Sequence, residues 1–155
     1  MPAREMTPIA LLTVHRYWLT ASLMRQHFRR YIRDHPTPNV TDPDLLSSMG
    51  VWYATLYVAA EGWFSFQQPD ETLDRLRRDR KFRLLKDFRD GFFHVQNEYI
   101  GDKLVAFMEV DGSAEWVENL HREVGATLVR ELESQGSPRM ADVVELIESL
   151  RGPSE

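Results

Sequence analysis

Within Arg89-Asp90-Gly91-Phe92-Phe93-His94 the chain places a guanidinium, a carboxylate and an imidazole close together. Histidine as a residue type has a reference pKa of about 6.5, so it can give or take a proton near neutrality. Arginine stays charged and can grip an anion through two N–H groups. Asp90 precedes His94 by four, the spacing that sets two side chains one turn apart on a helix face. There the carboxylate could accept from an imidazole nitrogen and fix its tautomer. The chemistry on offer is proton transfer beside a negatively charged group. The same cluster would also serve as an ordinary helix-stabilising surface group worth a few tenths of a kcal/mol, and the residues alone leave both open.

The element that must position these groups reads as a helix from about Lys81 to Gln96 or Asn97. Leu85, Phe88, Phe92 and Val95 recur at spacings of three and four and form one apolar stripe. At 100° per residue His94 falls roughly 140° from the centre of that stripe, with Asp90 one turn before it, so neither is claimed by the core. Gly91 in the middle of such a run costs about 1 kcal/mol relative to alanine, which implies a separate reason for its presence.

The remaining composition sets limits. A chain of 155 residues with 43% hydrophobic content is expected to form one all-α domain over 1–155, with residues 1–6 and 151–155 as flexible tails. It has no cysteine, which excludes disulfides, thiolate metal sites and a cysteine nucleophile. The start, Met1 to Pro8, has no basic lead into an unbroken apolar run, and His15 and Arg16 interrupt the apolar residues after Pro8. Neither a secretory leader nor a membrane span is expected, and the location expected is cytoplasmic. The net charge of −5 is uneven: residues 1–35 carry six basic and two acidic side chains, and residues 109–155 four basic and eleven acidic. A basic face could meet a phosphate chain, although solvated helix faces give the same pattern.

Taken in order, Thr7-Pro8 caps and starts a long first helix that ends at His35-Pro36, with Leu11, Val14, Trp18, Ala21, Phe28 and Ile32 inward. Asp42-Pro43 repeats the signal for a second helix to about Phe66, apolar on most sides and expected to be the most buried element. The single ordinary ionisable acid or base between Leu45 and Pro69, Glu61, must be paired, hydrogen-bonded or neutralised there, as a supporting residue of a site or as the partner of an arginine. Asp70 caps a short charged helix to about Asp79, followed by the helix of Arg89 and His94. Lys103 to Val110 is ambiguous between helix and extended chain. Ser113 is expected to cap a helix to about Glu133, and Met140 to Leu150 to form a last short one. The architecture is a single-domain helical bundle of about five to six helices.

Other constellations are weaker. Glu118 and His121 have the Glu-x-x-His spacing of a di-iron bundle but lack the second copy such a site needs, so no metal is expected. His15, His27 and His35 read as surface or satisfied helix residues. Arg25, Arg29 and Arg33, interleaved with Phe28 and Tyr31, could hold a nucleic-acid backbone, while the same aromatics already suit the core stripe. No phosphate-binding glycine loop and no Gly-x-Ser-x-Gly elbow is present.

Arg89 to His94 resembles the R-x4-6-H motif of the HEPN superfamily, whose residue after the arginine is typically polar, as Asp90 is. The all-α plan around it, loosely over residues 43–133, is similar too. The resemblance implies a metal-independent endoribonuclease acting as a homodimer without a cofactor, of the kind found among toxins and phage-defence effectors, where a cognate antitoxin protein is a partner. It equally implies the catalytically silent members, which bind a nucleotide, a nucleic acid or a protein. In the active case Arg89 and His94, supported by Asp90, would act on the phosphodiester. A 2′-hydroxyl proton must be removed, the leaving 5′-oxygen protonated and the developing negative charge stabilised. One helix offers one imidazole, and a two-fold dimer would bring the second, with Phe82 and Phe93 packing its interface.

Overall fold

In a computed structural model, residues 3–94 and 98–136 are described, and they fold into six α-helices with no strand among them. The helices are α1 Pro8–Asp34, α2 Pro43–Phe64, α3 Glu71–Arg78, α4 Arg80–Phe93, α5 Asp102–Met108 and α6 Ser113–Ser134. The expected helix over Met140 to Leu150, the expected 151–155 tail and Val95 lie outside the described residues. Among the described residues no helix is long and apolar enough to cross a membrane.

The sequence signals for helix starts mostly act as expected. Thr7 Oγ1 accepts from the Ala10 amide at 3.2 Å, and Asp42 Oδ1 from the Asp44 amide at 2.9 Å, each followed by a proline whose missing N–H costs nothing in the first turn. Asp79 separates α3 from α4 by ending one and capping the other through the Lys81 amide. Ser113 departs from expectation. Gly112, at φ +70°, occupies the cap position, and Ser113 is buried as the first helical residue with no side-chain cap bond. A left-handed backbone favours glycine there, so the Asp111-Gly112 turn, rather than the serine, sets the start of α6. The ambiguous stretch after Gly101 is the short helix α5.

α2 is the centre of the packing, lying against α1, α4 and α6. Trp52, Ala54, Leu56, Ala59 and Ala60 are buried on its several faces, and Leu11, Leu85, Phe88, Phe107, Leu120 and Leu128 meet them from the surrounding helices. Full burial of each large side chain contributes about 1.5–3 kcal/mol. The inward stripe of α1 fades at its end: Ile32 is 37% exposed, because residues 32–41 all lie on the surface beyond the cover of the other helices. Ahead of α1, the Arg4 amide bonds to the Ser65 carbonyl at 2.8 Å and Met6 packs on the core.

α4 ends earlier than its apolar periodicity predicts. His94 is its C-cap, with extended backbone (φ −105°, ψ 139°). Both the His94 amide, at 3.2 Å, and its ring Nδ1, at 2.8 Å, reach the Asp90 carbonyl. The ring thus adds a second donor to a carbonyl that already accepts the His94 amide in the ordinary helical pattern. Gly91 also finds its reason in packing: a Cβ there would lie 2.9 Å from Lys103 Cβ and 3.0 Å from Leu104 Cδ1. Its absence lets α5 come against α4.

Candidate functional site

Arg89, on α4, faces α2. Its guanidinium carbon sits 4.9 Å from the centroid of the Tyr57 ring, and Nε lies 2.8 Å from Asp90 Oδ1. That contact is an ion pair without the alignment of a hydrogen bond, so the buried Nε donor is left incompletely satisfied. Asp90 therefore gives its carboxylate to Arg89 and only its backbone carbonyl to the imidazole, which corrects the expectation of a carboxylate–histidine contact along one helix face. The reason is that His94 has left the helix.

A carbonyl can only accept. The 2.8 Å contact therefore assigns the proton of the neutral His94 ring to Nδ1 and makes Nε2 its basic nitrogen. The side chain is exposed at the end of α4, beside Phe93, which is 53% exposed. Phe82, expected with Phe93 on an outer face, instead packs inward against Tyr57 and Phe64.

Tyr57 connects Arg89 to Glu61. Its hydroxyl donates to Glu61 Oε1 at 3.0 Å, and burial first, then this bond and the Glu61 charge, push its pKa well up. Glu61 is exposed rather than buried, and its partner is this tyrosine rather than an arginine. The apolar sequence around it misled on this point, because the last turn of α2 opens onto a cavity of about 880 Å³ where α1, α2 and α3 meet. Arg89, Asp90, Tyr57 and Glu61 form a connected chain of contacts, with His94 joined through the Asp90 carbonyl.

The arginines of α1 are placed elsewhere. Arg25 Nε reaches Glu118 Oε2 at 2.7 Å and Arg29 Nη2 reaches Glu118 Oε1 at 3.1 Å, while Arg33 Nε pairs with the adjacent Asp34 at 3.1 Å. Burial alone would raise the Glu118 pKa, but the bonds and charges of Arg25 and Arg29 outweigh it and hold it below the usual range. These three expected phosphate ligands thus have carboxylate partners within the chain and no contact with Arg89 or His94.

The most enclosed polar group near them is His121, 4% exposed on α6. Trp52 Nε1 donates to its Nδ1 at 3.0 Å, and an indole nitrogen can only donate. The proton of the ring is therefore on Nε2, which donates to Ser22 Oγ at 3.0 Å. Ser22 thus receives a hydrogen bond rather than losing a proton, so this serine–histidine contact is a structural clasp and not a nucleophile with its base. Trp18 Nε1 adds a bond to the His121 carbonyl at 3.0 Å, and its ring lies where a Cβ on Gly125 would come within 2.3 Å. Burial first, and then Arg25 and Arg29 against the opposing pull of Glu118, lower the His121 pKa to about 4. Its place on the edge of the Val117, Leu120 and Val124 stripe is the one sequence signal that could have marked it as a core residue. No cluster of metal-binding side chains occurs among the described residues. Comparison with known protein families, with curated proteins and with solved structures gives no match for this chain.

Proposed function

We propose that the chain is a HEPN-like, metal-independent endoribonuclease that works as a cytoplasmic homodimer, a toxin or defence effector with a cognate antitoxin. The observation that carries this reading is the His94 ring, exposed at the end of α4 with Nδ1–H bonded to the Asp90 carbonyl. That bond orients Nε2 as the nitrogen that takes the 2′-hydroxyl proton, and the same ring of a second subunit, once protonated, gives a proton to the leaving 5′-oxygen. Arg89 supplies positive charge to the phosphate. Its Nε, incompletely satisfied by Asp90, gains a better acceptor when a phosphate oxygen draws the side chain outward.

One observation favours the catalytically silent alternative, a helical protein that binds a nucleotide, nucleic acid or protein. Arg89 is stacked on Tyr57 and paired with Asp90, an arrangement that also suits a purely structural arginine. Cleavage of a mixed panel of tRNA and unstructured RNA in EDTA separates the two. Wild type is expected to cut, and His94→Ala, folded by circular dichroism, to cut at least about 100-fold more slowly. Arg89→Ala is expected to lose activity without a comparable loss of thermal stability. Absence of cleavage by wild type, or equal cleavage by both proteins, favours the silent reading.

A further inference from the structure

The cavity of about 880 Å³ between α1, α2 and α3 is of a size typical for a small-molecule site. Four charged side chains line it: Arg4, Glu61, Asp74 and Arg77. None of them has an ion-pair partner among the described residues, although cations and carboxylates share the same walls. The cations rest on aromatic rings instead, Arg77 4.9 Å above Phe64 and Arg4 5.9 Å from Phe66. The carboxylate of Glu61 is steadied at one oxygen by the Tyr57 hydroxyl, which leaves its second oxygen to accept. Glu61 also stands in the last turn of α2, where the helix dipole disfavours a negative charge. A carboxylate kept there without a cation works against stability, which is the pattern of a group retained for a ligand.

A neutral ligand that engages both kinds of group can do so by offering adjacent N–H donors to a carboxylate and adjacent acceptors to a guanidinium. Among the common nucleobases guanine does this: N1–H and the N2 amino group lie side by side, and O6 and N7 form the neighbouring acceptor edge that arginine reads through two bonds. Adenine places the N1 lone pair beside its amino group, where a carboxylate repels it. Cytosine likewise pairs its amino group with an acceptor, and uracil has a single N–H between two carbonyls. We propose that this cavity is a guanine-recognition site in which Glu61 accepts from N1–H and N2–H and Arg77 donates to O6 and N7.

The proposal does not rest on RNA cleavage: neither His94 nor Arg89 lines the cavity, although Tyr57, which does, links Glu61 to Arg89. The base could arrive as a free nucleoside or within a single strand, and calorimetric titration of the full chain with guanosine, inosine, adenosine and short oligo-G-containing and oligo-A RNAs distinguishes these. Guanosine, or the guanine-containing strand alone if the base is read within RNA, is expected to bind at least about tenfold more tightly than its adenine counterpart. Inosine, lacking the N2 amino group, is expected to fall between guanosine and adenosine. Glu61→Gln and, separately, Arg77→Gln should each weaken guanine binding about tenfold, whereas His94→Ala should bind as wild type does. Equal binding of guanine and adenine ligands, or no binding of either form of guanine at millimolar concentration, overturns the proposal.

Discussion

Where α1 meets α6, charges and polar hydrogens are matched: Glu118 takes two arginines, and His121 is held at both ring nitrogens by Trp52 and Ser22. In the cavity lined from α1, α2 and α3, Glu61, Asp74, Arg4 and Arg77 have no ion pair among the described residues. The two regions are built from the same residue types, and the difference lies in whether the counter-groups come from within the chain. The matched seam joins residues about a hundred apart in sequence and stabilises the packing of the first and last described helices. The cavity leaves its four charged groups without a charged partner among the described residues.

The largest effect that can break this comparison is acid sensitivity of the seam. His121 has its pKa lowered to about 4 in the folded chain, against about 6.5 when unfolded. Between those values the unfolded chain binds more protons, so stability is fully present above pH 6.5 and declines as pH falls toward 4. The loss attributable to this group totals on the order of 3 kcal/mol. The imidazolium would also set an Nδ1–H against the Trp52 N–H, with Arg25 and Arg29 nearby and only Glu118 opposing them. Urea unfolding of wild type and His121→Gln at pH 7 and pH 5 tests this. Glutamine can accept from Trp52 and donate to Ser22 without titrating, so its stability should change less with pH. Parallel pH profiles would show that folding does not lower the His121 pKa.

A smaller effect separates two of the close helix contacts made at glycines. Alanine at Gly125 brings a Cβ within 2.3 Å of the Trp18 ring, which must move and release its bond to the His121 carbonyl. A loss of about 2 kcal/mol is expected. Alanine at Gly91 meets Lys103 Cβ at 2.9 Å, an atom fixed to the α5 backbone, and Leu104 Cδ1 at 3.0 Å, so α5 must shift. A helix-propensity gain of about 1 kcal/mol offsets part of that strain, so a net loss smaller than at Gly125 is expected. Denaturation followed by tryptophan fluorescence compares them. A costlier change at Gly91 would reverse the assignment of α1–α6 as the tighter seam.

These contrasts show how much the linear pattern carried. The all-α plan, the Thr7-Pro8 and Asp42-Pro43 starts and the dominance of α2 in the core arise from local capping chemistry and hydrophobic period, which neighbouring residues fix among themselves. The end of α4 did not, because it carries no glycine or proline signal, and His94 leaves the helix with extended backbone while its ring reaches back to the Asp90 carbonyl. The candidate residues Arg89, Asp90 and Glu61 were legible as charged groups off an apolar stripe or alone within one. The residue that joins them is Tyr57, from the apolar face, whose ring and hydroxyl serve different neighbours. Partners chosen across the fold, such as Glu118 for Arg25, depend on how helices cross and leave no mark in the spacing.

The smallest expected effect compares two carboxylates directly. Glu118→Gln removes the charge shared by Arg25 and Arg29 at a partly buried position, and a loss of about 1 kcal/mol is expected. Glu61→Gln keeps an oxygen for the Tyr57 hydroxyl and removes a negative charge from the C-terminal turn of α2, so stability should hold or rise by a few tenths of a kcal/mol. Thermal unfolding at pH 7 in low salt reads both. Opposite signs would mark Glu118 as part of the internal framework and Glu61 as a group held for a ligand. A comparable loss at both would mean that Glu61 stabilises the fold through Tyr57, and the cavity would lose its distinction from the seam.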